Sequence, residues 1–72
     1  MTRTQIRLDT LTDVNRFVAA MSQIDEPIYL EDGAGIKVNA KSALGALYSM
    51  EFTRIYCCCE KDINIHLMPW AI

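Results

Sequence analysis

Apolar and polar residues alternate from Thr2 to Leu8, with Ile6 and Leu8 on one side of the chain and Gln5 and Arg7 on the other. A period of two marks a half-buried β-strand. The period then changes. Val14, Phe17, Val18 and Met21 recur at i, i+3, i+4 and i+7, the apolar stripe of an amphipathic helix. Between the two lies Asp9–Thr12, rich in residues that cap helix N-termini, and Thr12 or Asp13 is the expected cap. Pro27 disfavours helical geometry at Glu26, so the helix should end near Asp25.

Pro27–Asn39 reads as a hairpin. Ile28 and Leu30 share one face, Asp32-Gly33-Ala34-Gly35 turn the chain, and Ile36 and Val38 return. Ser42 opens a second helix, along which Leu44, Leu47 and then Met50 or Glu51 follow at helical spacing. Thr53–Glu60 is β-rich through Ile55 and Tyr56 and gives a fourth strand. The tail carries two patterns. Ile63, Leu67 and Trp70 sit at i, i+4 and i+7, while Ile63, Ile65 and Leu67 alternate. A short helix is the reading adopted, limited by Pro69 to about two turns. The order β-α-β-β-α-β-α predicts one α+β domain over residues 1–72, a four-stranded antiparallel sheet with its helices on one face and the other face open to water.

The composition sets bounds on chemistry. At 51% hydrophobic and 22% charged, the 72 residues read as globular. A chain this short buries only about 60% of its unfolded surface, so its stability margin is thin. The net charge is −2, and Arg3, Arg7, Arg16, Lys37, Lys41, Arg54 and Lys61 are scattered without forming a basic stripe. Nucleic acid and membrane surfaces are therefore not the expected partners. No signal-like or membrane-length apolar run is present, and a cytoplasmic protein is expected.

Cys57, Cys58 and Cys59 are contiguous and odd in number, so they make no disulfide framework. Neighbouring strand residues point to opposite faces, so the three cannot converge on a metal ion. Two should pack in the core while Cys58 faces the other way. Gly33-Ala34-Gly35 lacks the lysine and hydroxyl that follow a phosphate-binding loop. No metal or cofactor is expected.

Val38-Asn39-Ala40-Lys41-Ser42-Ala43-Leu44-Gly45 is similar to the VN-x-KS-x-x-G segment of the HPr family, the small phosphocarriers of the bacterial sugar phosphotransferase system. The resemblance spans roughly residues 4–62 and is strongest over 28–50. It implies an open-faced β-sandwich. It also implies a phosphohistidine in the first loop, but the chain departs from the family there. Counting back from Leu30 without gaps sets Thr10 at the histidine position and Thr12 at the position of the nearby arginine. A threonine hydroxyl offers no imidazole nitrogen, and nothing adjacent would activate it. Asp9 and Asp13 would repel an incoming phosphoryl group. The lone histidine, His66, stands in the tail and reads as a partly exposed residue.

Ser42 matches the position at which many Gram-positive members are phosphorylated by a dedicated kinase and then bind a transcription regulator. A serine at a helix start is equally explained as an N-cap worth about 1 kcal/mol, and the two roles are compatible. The resemblance implies a non-enzymatic regulatory or interaction module, like family members that lack the histidine and keep the serine. Its partners would be proteins, met through Lys41, Leu44, Gly45 and Leu47. Two alternatives stand beside it: a phosphocarrier with an unrecognised acceptor, and a structural or dimer-forming module that keeps only the fold. Self-association through Ile63, Leu67 and Trp70 is the form a homodimer would take.

Overall fold

The computed structural model describes all 72 residues. The elements run β1 (Thr2–Ile6), α1 (Leu11–Ser22), β2 (Ile28–Glu31), β3 (Lys37–Asn39), α2 (Ala43–Ser49) and β4 (Ile55–Cys59), followed by a single 3₁₀ turn over Ile65–Leu67. Four strands form one sheet in the order β1-β4-β2-β3, every neighbouring pair antiparallel. The fold is α+β, with two helices and an arrangement compatible with an open-faced sandwich.

Strand alternation sorts the side chains. Ile6, Ile28, Leu30, Ile55, Cys57 and Cys59 face the core, where they meet Val14, Phe17 and Met21 of α1 and Ala46 of α2. Arg3, Tyr29, Glu31, Tyr56 and Cys58 occupy the other face. There Arg3 Nε donates to Glu31 Oε1 at 2.9 Å, and the Arg3 guanidinium lies 3.9 Å from the Tyr56 ring centroid. Cys58 does face away from the core, yet it is also buried, because Arg3 and Tyr29 flank it on the neighbouring strands. Gly33 turns the β2–β3 hairpin with φ +85°, a left-handed conformation that glycine adopts without steric cost.

Several boundaries differ from expectation. The cap of α1 is Thr10, not Thr12 or Asp13. Thr10 is extended, its Oγ1 accepts from Asp13 N at 3.1 Å, and the Asp13 carboxylate accepts in return from Thr10 N at 3.1 Å. This is a reciprocal capping box with aspartate at its fourth position. The helix stops at Ser22, three residues before Asp25, and Gln23 caps it. Ile36 lies outside β3 and is exposed, because Asp32 draws the turn backbone onto its own carboxylate through Ala34 N and Ile36 N.

The tail makes no two-turn helix. After Ile65–Leu67 the chain extends past Pro69 and lies along the outer edge of β1. Arg7 N donates to Trp70 O at 2.9 Å and Ile72 N to Gln5 O at 3.1 Å, with a bridge between Ile6 and Ala71. Neither pattern held over the whole tail: Ile65 alone of the alternating set is fully buried, Leu67 is exposed, and the residues that bond to the open backbone groups of β1 are Trp70 and Ile72, beyond Pro69. Ile63 and Trp70 pack against the core and Leu67 alone stays exposed, so these three form no continuous apolar face for self-association.

Candidate functional site

The β3–α2 corner is built by short-range hydrogen bonds. Ala40 is fully buried and its N–H donates to Ile28 O at 2.9 Å. The Asn39 side chain accepts from Lys41 N at 2.9 Å, and its carbonyl accepts from Ser42 N at 3.2 Å. Ser42 is extended, with φ −97° and ψ 124°, and its Oγ accepts from Gly45 N at 3.2 Å. It is thus the N-cap of α2, half-buried and not sealed from solvent. Lys41 is less free than its place in the sequence suggests, because its Nζ donates to Ile24 O beyond the end of α1.

Gly45 is turned inward. A Cβ there would lie 2.8 Å from Asn39 O and 3.4 Å from Val38 Cβ, so the small residue lets α2 press on β3. It serves the corner and is not part of an outward grip. Gly45→Ala is expected to destabilise the fold by about 1–3 kcal/mol from backbone displacement, although alanine is the better helix former by about 1 kcal/mol. Urea denaturation measures the balance, and an unchanged or higher midpoint would count against a tight corner.

α2 has its faces reversed. The buried side carries the small residues Gly45, Ala46 and Ser49, and the Ser49 hydroxyl donates to Ala46 O at 2.6 Å. The outward side carries the large ones: Leu44 is 77% exposed, Leu47 43% and Tyr48 52%. An ordinary surface helix directs its large apolar residues to the core and its polar ones to water. Leu44 and Leu47 join Ala43 and, from α1, Leu11, Val14 and Asn15 around an open groove of about 290 Å³. Tyr48 extends the patch towards Phe52, their ring centroids 5.8 Å apart. Leu11 was missed in the sequence because it sits among capping residues. A signal was present, since Leu11 precedes Val14 by three residues and Val18 by seven, which extends the apolar stripe of α1 into its first turn.

The first loop is arranged differently. Thr10 and Thr12 are both exposed, and the Thr10 hydroxyl is engaged by Asp13 N. Asp13 Oδ2 accepts from Asp9 N and Thr10 N, so a carboxylate already occupies these two amides. Asp9 pairs with Arg7 at 3.0 Å. A cleft of about 410 Å³ lies beside this loop, bounded by Arg7, Asp9, Asp13, Arg16 and the tail residues Pro69–Ile72; His66 lies outside it.

Two of the thiols, Cys57 and Cys58, are biased towards their protonated form. Burial, reinforced by the neighbouring Cys58 and Cys59, pushes the Cys57 thiol up to about 12, and burial also raises Cys58. No three His, Cys, Asp or Glu side chains gather as a metal-holding group, and no helix is long and apolar enough to cross a membrane. Comparison with known proteins found no family model, no curated protein and no solved structure that matches this chain.

Proposed function

We propose that the chain is a non-catalytic, HPr-like regulatory or interaction module of the cytoplasm, which meets protein partners through the outward face of α2 and is phosphorylated at Ser42. The carrying observation is the reversed helix. Water-exposed leucines on both sides of a groove cost solvation free energy that a docked protein surface would recover, at about 25 cal/mol per Å² of apolar area. The HPr-like part of the reading draws support from the strand order β1-β4-β2-β3, the helices on one sheet face and the Val38–Gly45 segment. Ser42 borders the groove through Ala43, so a phosphate there would add charge beside the contact surface.

Incubation with an HPr-type serine kinase and ATP is expected to add one acid-stable phosphate to the wild-type chain and none to Ser42→Ala. Loss of the cap itself should cost only about 1 kcal/mol, so a melting curve separates the two effects of the substitution. A wild-type chain that takes no phosphate removes the regulatory serine. Acid-labile phosphate on His66, after incubation with phosphoenolpyruvate and the first enzyme of the phosphotransferase system, would replace the module with a carrier.

A further inference from the structure

The outward face of α2 has an electrical polarity. Leu44, Leu47 and Tyr48 carry no charge at neutral pH, and neither do Leu11, Val14 and Asn15 across the groove. The formal charges stand at the two ends of the helix. Lys41 precedes α2, half-buried beside the positive end of its dipole with one ammonium proton given to Ile24 O, and Glu51 follows it, beside the negative end. Glu51 is exposed and belongs to none of the three ion pairs, Met1–Asp62, Arg3–Glu31 and Arg7–Asp9. It also continues the row of Leu44 and Leu47 at helical spacing.

A strip with a positive end, an apolar middle and a negative end is complementary to itself under a two-fold rotation about its midpoint. The axis would pass near Leu47. Each Glu51 then approaches the Lys41 of the other copy, whose ammonium keeps two N–H donors beside the one given to Ile24 O, the helix dipoles run antiparallel, and the middle of the strip carries no charge. We propose that this face is a homodimer interface, in which a second copy of the chain packs antiparallel across α2 and covers the Leu11–Leu44–Leu47 groove. The proposal rests on the interaction-module reading and names its partner. A stable interface takes about 800 Å² from each partner, about a sixth of this chain's 4629 Å². Since α2 is only about 10 Å long, the dimer is a weak one that assembles at high concentration.

Sedimentation equilibrium of the full chain under reducing conditions, from about 10 µM to about 1 mM, is expected to give a mass rising from 8.2 kDa towards twice that value. Leu47→Lys, with its circular dichroism and melting unchanged, should remain at the monomer mass. Leu47→Cys, beside the axis, should close an intermolecular disulfide on mild oxidation. Ala19→Cys, exposed on α1, should not, and the native thiols are buried. A monomer throughout the range overturns the proposal, as does a dimer that survives Leu47→Lys; a dimer without the Leu47→Cys cross-link overturns its antiparallel arrangement. A monomer still phosphorylated at Ser42 would leave the interaction module with another partner, whereas a dimer that takes no phosphate would retire only the regulatory serine.

Discussion

Phe17→Ala is expected to lower the unfolding free energy by about 3–5 kcal/mol, the largest effect of any single truncation in this chain. Phe17 is fully buried in the layer between α1 and the sheet, so the removed ring leaves a cavity that strands and helix cannot close without breaking other contacts. It also loses the edge-to-face contact with Trp70, whose ring centroid lies 5.4 Å away at 90°; such pairs add about 0.5–1.5 kcal/mol beyond area burial. Domains of this size hold only about 5 kcal/mol or little more in total. The variant should therefore keep no more than about 2 kcal/mol and stand close to its unfolding midpoint at room temperature. Trp70 is the only tryptophan, so its fluorescence reports the change directly, shifting to the red as the ring enters water. A loss below about 1 kcal/mol would place Phe17 outside the true core.

Ile65→Ala is the second large effect, about 2–5 kcal/mol. Its reason lies in the tail, which acts as part of the domain. Ile65 is fully buried while its neighbours His66 and Leu67 are exposed. Thr2 fastens the approach to it: its hydroxyl donates to Lys61 O at 2.9 Å and accepts from Ile63 N at 2.9 Å. Beyond Ile65, the backbone bonds of Arg7 to Trp70 and of Ile72 to Gln5 hold the chain along β1. His66→Ala and Leu67→Ala, one and two residues away, should change stability by no more than about 0.5 kcal/mol. Equal urea midpoints for Ile65→Ala and Leu67→Ala would show that the tail is merely appended.

Much of the frame was legible because two periodicities are hard to confuse. Val14, Phe17 and Met21 are all buried, as their helical spacing requires, and Ile28 and Leu30 share the core face, as strand alternation requires. The cap at Ser42 was legible too, since serine is a leading N-cap residue and here stands directly before a helical run. The first cap was misplaced by two or three residues because Thr10, Thr12 and Asp13 are all competent, and reciprocal bonding between Thr10 and Asp13 chose among them. The tail was ambiguous for a related reason: Ile63, Ile65 and Leu67 satisfy two patterns over a span too short for propensity to decide.

The candidate site was half legible. Leu44 and Leu47 were recognised as a possible grip, but their spacing equally suits a core-facing stripe, and spacing alone does not say which side of a helix is inside. That choice was made by β3. Gly45, Ala46 and Ser49 are small enough to let α2 approach the strand, with Gly45 against Asn39 O, so the small side turned in and the leucines turned out.

Local order along the chain thus settled the sequence of the four strands and two helices, which residues fill the first core layer and where the second helix begins, because each depends on neighbours within a few positions. Which side of α2 meets water, how Leu11 comes to stand opposite Leu44, and how the tail completes the edge of β1 depend on close approaches between residues far apart in the chain. Those approaches arise only when the layers pack, and they created the apolar groove.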